Sequence, residues 1–81
     1  MDHGEILSKI NELMRDVFDE DDLVATDAMT AEDVADWDST NHVRLMVAIE
    51  EMFKIRFATD EITAPENVGE LVDLVASKMK A

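Results

Sequence analysis

The chain has 81 residues, enough for one domain with one modest core. Its 20 acidic and 7 basic side chains give a formal charge of −13, which repels nucleic acid and anionic lipid surfaces and favours partners with basic patches. Apolar residues make up 47% of the chain, too many for a disordered tail, and the absence of cysteine excludes disulfides, thiolate metal sites and thiol catalysis by the protein's own side chains.

Residues 4–18 carry Ile6, Leu7, Ile10, Leu13, Met14, Val17 and Phe18 at helical spacing, so a first helix is predicted there. The acidic run Asp19, Glu20, Asp21 and Asp22 should end it, because carboxylates are unfavourable at a helix C-terminus. Residues 19–38 read as a long connection pinned by scattered apolar anchors: Leu23, Val24, Met29, Val34 and Trp37. A connection this long in so small a domain is often functional. Within it, Thr30-Ala31-Glu32-Asp33 resembles a capping box, with Asp in place of the usual Glu or Gln, and predicts a short helical turn.

A second helix is predicted over residues 40–53, with Ser39 as its N-cap. Val43, Leu45, Met46, Val47, Ala48, Ile49, Met52 and Phe53 cover more than half of its circumference, the pattern of a central helix packed on two sides. Thr40, Arg44, Glu51 and Lys54 mark its wet face. Ile55-Arg56-Phe57 alternates weakly but has no partner strand, and reads as a loop. Thr59 or Asp60 is expected to cap a short turn through Ile62, and Pro65 breaks the chain after it. Asn67 then caps a last helix, with Glu70 at the capping-box position. Val68, Leu71, Val72, Val75 and Met79 form its apolar stripe, and Lys78 and Lys80 suit its C-terminus.

Two glycines and one proline are few for an all-β chain. The expectation is an all-α protein: a small four-helix bundle of three main helices and one short helix, with a long first loop, as a single domain over residues 1–81. The start of the chain has no basic-then-apolar signal segment, and the longest apolar run, residues 45–49, is far too short to span a bilayer. A cytoplasmic monomer without stable membrane insertion is therefore expected.

Among candidate sites, Ser39 and His42 lie three residues apart and could approach each other on a helix. An activated nucleophile also needs a group orienting the imidazole, an oxyanion hole and a substrate pocket, for which this chain has little room, so no enzyme is expected. The acidic run fails as a calcium loop. Counted from Asp19, the positions that should be Gly and a bidentate Glu are Val24 and Thr30. His3 and His42 have no partners at ligand spacing, and no Gly-rich phosphate loop is present.

Trp37-Asp38-Ser39-Thr40 remains. A helix start presents free N–H groups and a positive partial charge, which favour a phosphate, and a serine hydroxyl there is well placed to carry a phosphodiester. Ser39 projects toward the same side as Val43 and Met46, so a chain attached to it could fold back along a groove between the second helix and its neighbour.

Trp37-Asp38-Ser39, followed by Val43, Leu45, Ala48-Ile49-Glu50-Glu51, Phe53 and Ile55-Arg56-Phe57, resembles an acyl carrier protein or a related phosphopantetheine-dependent carrier domain. The resemblance covers essentially the whole chain. It implies that Ser39 receives 4′-phosphopantetheine from coenzyme A through a phosphopantetheinyl transferase, and that the arm's thiol holds an acyl group as a thioester. It implies an arm groove that includes Val43, Met46 and Ile62. It also implies that the second helix is read by acyl-loading ligases or transferases and acyl-modifying enzymes, with Asp38, Thr40, Asn41, Arg44, Glu50 and Glu51 as recognition positions. Thr40 and Asn41 stand where the commonest fatty-acid-synthesis members have Leu and Asp, and Arg44 replaces an acidic residue. A partner that reads acid with Arg or Lys would lose contacts and meet a like charge here, which points to a specialised pathway. The rival reading is a cofactor-free acidic helical module that binds a basic protein surface.

Overall fold

A computed structural model describes residues 2–79 of the chain. Helix α1 spans His3–Phe18, α2 Ser39–Phe53, α3 Thr59–Thr63 and α4 Val68–Met79, with a single 3-10 turn at Ala31–Asp33. No strand occurs among the described residues, and no helix of the structure is long and apolar enough to cross a membrane. The all-α arrangement of three main helices, one short helix and a long first loop is the one expected.

Each helix begins where a side chain or a neighbouring backbone supplies what the first turn lacks. Asp2 caps α1 by accepting the Glu5 N–H at 2.9 Å. Asn67 caps α4 by accepting the Glu70 N–H at 2.8 Å. Glu70 does not complete a box with Asn67; its carboxylate accepts the Glu66 N–H, at 3.3 Å. Asp33 accepts the Thr30 N–H at 2.9 Å, which supports the 3-10 turn. Two expected caps sit one residue too late. Ser39 is the first residue of α2 and Asp38 is the cap, its carboxylate accepting the Asn41 N–H at 2.8 Å. Likewise α3 starts at Thr59, after Ala58, and Glu61 reaches back to accept the Ala58 N–H at 2.7 Å.

Helices α1 and α2 end alike. Each closes on a Phe followed by a left-handed residue, Asp19 (φ 54°) or Lys54 (φ 57°), and a hydrogen bond then links Glu20 N–H to Arg15 C=O or Ile55 N–H to Glu50 C=O. Asp tolerates this backbone better than most side chains, so Asp19 ends α1 through its conformation as well as its charge.

Helix α1 packs against both α2 and α4. Ile6, Ile10, Met14 and Phe18 meet Leu45, Met46 and Ile49 of α2 and Val68, Leu71, Val72 and Val75 of α4 in one core. The expected two-sided burial of α2 is not found. Val43, Val47 and Met52 remain 48%, 46% and 41% exposed. The apolar arc of α2 is wider than its neighbours cover, which leaves part of it facing solvent.

The 19–38 loop is held by hydrogen bonds to its backbone as well as by apolar anchors. Arg15 donates to the Leu23 carbonyl at 2.7 Å. One turn earlier, Asn11 donates to the same carbonyl and accepts the Ala25 N–H. Leu23, Ala25, Val34 and Trp37 are buried, whereas Val24, expected as an anchor, is 66% exposed. Farther on, the carbonyls of Asp27 and Met29 accept the N–H groups of Gly69 and Val68, both at 2.9 Å, so the loop also caps α4. A Cβ at Gly69 would lie 3.1 Å from the Asp27 carbonyl oxygen, and glycine is what permits that approach.

Candidate functional site

Ser39 is exposed at the start of α2, on the rim of a cavity of about 500 Å³. Trp37 and Asp38 enclose the cavity from the loop side, Val43 and His42 from α2, and Ile62 and Leu71 from α3 and α4. Because Asp38 caps the helix, the Ser39 hydroxyl is not used for capping. The N–H groups of Ser39 and Thr40 have no protein acceptor among the described residues. A free hydroxyl, two free helix-start donors and an apolar hollow beside them fit a phosphodiester-linked arm.

The expected groove residues separate. Val43 and Ile62 line the cavity, but Met46 is fully buried in the core behind it. The expected recognition residues separate too. Asp38, Thr40, Arg44 and Glu51 are exposed. Asn41 is only partly exposed and donates to the Asp36 carbonyl at 2.7 Å, tying the helix start to the loop. Glu50 accepts the Phe57 N–H at 2.8 Å and holds the segment after α2, so Glu51 is the outward member of the acidic pair.

His42 acts differently from either role weighed for it in the sequence. Its Nδ1 lies 3.0 Å from the indole Nε1 of Trp37, and its Nε2 lies 2.5 Å from the Ile62 carbonyl oxygen. The indole N–H can only donate, so Nδ1 accepts; the carbonyl can only accept, so Nε2 carries the proton. Both ring nitrogens are engaged, and neither is free to serve Ser39 as a base. The indole and imidazole rings also stack, 6.0 Å apart at 22°, and Trp37 meets Phe18 at 5.6 Å. This bridge from loop to α2 to α3 escaped the sequence reading. Its one sequence signal was a lone Trp, whose buried N–H seeks an acceptor, five residues before a His.

His3 joins three elements, α1, the first loop and α4: its Nε2 lies 2.8 Å from Asp27 and its Nδ1 3.7 Å from Asp73. The hydrogen bond to Asp27, then the nearby carboxylates, raise its pKa above the ordinary imidazole value. Glu61 pairs with Lys78 at 2.6 Å. The Ala58 N–H, then Lys78, hold its carboxyl below the usual range. No cluster of three or more metal-ligating side chains occurs among the described residues.

Neither family models nor curated proteins match the chain. Two solved structures do. A holo acyl carrier protein from Geobacter metallireducens, determined in solution, is 40% identical over 93% of this chain and 86% of its own, with a TM-score of 0.86. The crystal structure of an acyl carrier protein from Thermotoga maritima is 22% identical over 99% of this chain and 93% of its own, again with a TM-score of 0.86, and shows the shared fold. With that fold, and with an identity of 40% over nearly its whole length, the chain belongs to the acyl carrier protein family, whose members carry acyl groups and are not themselves enzymes.

Proposed function

We propose that this carrier holds its acyl group on a 4′-phosphopantetheine arm esterified to Ser39. The observation that carries the reading is the division of labour at the start of α2. Asp38 caps the helix, which leaves the Ser39 hydroxyl exposed and unoccupied on the rim of the apolar cavity. In the attachment step the Ser39 oxygen forms a bond to the phosphorus that bears pantetheine. The pyrophosphate P–O bond of coenzyme A breaks, 3′,5′-ADP leaves, and the hydroxyl proton passes to the transferase. The arm supplies the thiol that a chain without cysteine lacks. The Ser39 and Thr40 N–H groups and the dipole of α2 stabilise the phosphodiester charge, and Val43, Trp37 and Ile62 give the arm an apolar wall.

We further propose a dedicated pathway rather than general fatty-acid synthesis. Thr40 and Arg44 are exposed beside the bare apolar surface of Val43 and Val47. A partner enzyme docking there meets a hydroxyl and a guanidinium where the commonest members present other groups, so it needs an acceptor or an acidic side chain opposite Arg44. The remaining acidic surface favours a basic rim on that enzyme, with the cytoplasm as the place of work.

Incubation with coenzyme A and a broad-specificity phosphopantetheinyl transferase is expected to add one phosphopantetheine by intact mass, and Ser39→Ala to abolish it. Failure of several such transferases to modify the folded protein would overturn the reading in favour of a cofactor-free acidic module.

A further inference from the structure

The cavity beside Ser39 stops abruptly. Ser39, His42 and Val43 are its α2 wall, one turn of helix. The next residue on the His42 side, one turn on, is Met46, which is 1% exposed and does not line it. Between the two stands the His42 ring, held to Trp37 on the loop and to the carbonyl of Ile62 on α3. A chain that enters from Ser39 and follows α2 on its His42 side meets this ring one turn before the adaptable Met46 side chain.

We propose that His42 is the specificity-determining stop of the carrier: it sets how deep an acyl chain can enter and restricts sheltered cargo to short acyl groups. This rests on Ser39 being the attachment point. The ring closes the passage through two hydrogen bonds that share one imidazole. A chain that pushes between α2 and α3 must separate His42 from Ile62, and the Trp37 N–H loses its acceptor if the ring swings away. Both groups are partly or wholly buried, so neither recovers a full water partner. The methylenes that would follow gain about a four-fold preference each for an apolar interior. The first of them past the stop must offset the broken bridge, so shorter chains end in the cavity and the surplus of longer ones stays in solvent. His42 contacts neither the hydroxyl of Ser39 nor a reacting atom; it is a positioning residue.

The test loads the full chain with acetyl, butyryl, hexanoyl, octanoyl, decanoyl and dodecanoyl arms from the matching acyl-coenzyme A. It reads thioester lifetime in hydroxylamine, together with the Trp37 indole N–H and His42 Nε2–H resonances. In the wild type, protection should rise by about four-fold per methylene and then stop at a short chain, with both resonances unmoved. His42→Val should carry the rise to longer chains. His42→Gln, whose amide can accept from Trp37 and donate to Ile62, should restore the stop. Met46→Ala enlarges the space behind an intact stop and should leave the break where it is, a comparison that holds even if His42→Val fails to fold. A matching series of n-alkanols, titrated into the unloaded protein and followed by Trp37 fluorescence, should show the same break without any arm. If Ser39 cannot be loaded, the attachment reading fails while the alkanol series still decides the stop. A wild-type series that rises unbroken to dodecanoyl or dodecanol, or a break that moves to longer chains in Met46→Ala, would overturn the proposal.

Discussion

Residues 19–38 and residues 54–67 both connect main helices, and they are held in opposite ways. The first is almost devoid of regular structure, yet four of its side chains are buried and its backbone is bound by Asn11, Arg15 and the first turn of α4. The second contains a helix, α3, but none of its residues is buried. It is held by the partly buried Ile55, Phe57 and Ile62, by the Glu61–Lys78 pair, by two backbone N–H bonds to Glu50 and by one backbone carbonyl bond to His42. Anchorage in this protein follows tertiary hydrogen bonds and burial, not helical regularity. The cavity beside Ser39 lies between the two, with Trp37 on the firm side and Ile62 on the loose side. One wall is fixed and the other can yield.

The sharpest way to break that contrast is to remove one anchor from each side. Asn11→Ala leaves the Ala25 N–H and one bond to the Leu23 carbonyl without their partner in a partly buried place. It should lower global stability by about 2 kcal/mol, read from the urea midpoint at constant slope. Lys78→Ala removes a partly exposed ion pair and should lower global stability much less than Asn11→Ala does. It should nonetheless speed amide exchange across residues 59–63 without altering residues 23–29. Equal global losses from the two variants would mean that the connections are equally firm.

Much of this contrast was hidden in the sequence for a physical reason. Helical periodicity located α1, α2 and α4 to within a residue or so, because each buries a stripe that repeats along the chain. The loop anchors Asn11 and Arg15 belong to the polar face of α1, where periodicity reads only solvent. Their role depends on carbonyls a dozen residues away. Ser39 was legible as a helix-start serine beside an apolar helix, but whether it or Asp38 capped the helix was not, since both side chains serve well. The answer matters, because a capping serine would have its hydroxyl engaged. His42 was visible as a residue but not as a bridge, because its two partners approach from the loop and from α3. The bare edge of α2 was misread for a related reason: a helical wheel shows which residues are apolar, not how many neighbours arrive to cover them.

The two connections also start alike, and the difference between their first residues sharpens the comparison. Asp19 and Lys54 both adopt left-handed backbone after a Phe. Glycine removes a Cβ penalty at each, worth about 1 kcal/mol at Lys54 and less at Asp19, whose side chain tolerates this backbone. Asp19→Gly additionally removes a carboxylate from the negative end of α1, whereas Lys54→Gly removes a favourable cation from the end of α2. The backbone gain is larger at Lys54 and the charge effect favours Asp19→Gly, so thermal unfolding should show both variants modestly stabilised, by under about 1 kcal/mol and close to each other. Destabilisation by either glycine would show that the left-handed residue there is held by side-chain contacts rather than by backbone preference and dipole.

The smallest effect is also the most discriminating, because pH should act on the two connections with opposite sign. His3 ties the loop through Asp27, and its pKa is raised above the ordinary 6.5 chiefly by that hydrogen bond. A raised pKa means that the contribution is complete below the unfolded value and disappears as pH climbs through the folded one. Glu61 ties α3, and its pKa is lowered from 4.5, first by the Ala58 N–H and then by Lys78. Its contribution is complete above 4.5 and disappears as pH falls through the lower folded value. Acidification from neutral should therefore first tighten the loop and only later loosen α3. Protection factors, already corrected for intrinsic exchange, should rise at the Gly69 amide that donates to Asp27 as pH drops past the His3 titration. They should fall at the Ala58 amide only in the acid range. In His3→Gln the first change should vanish while the second remains. A single transition at which both amides lose protection together would mean that the loop and α3 are one cooperative unit, and that the wall opposite Trp37 is no looser than the wall that bears it.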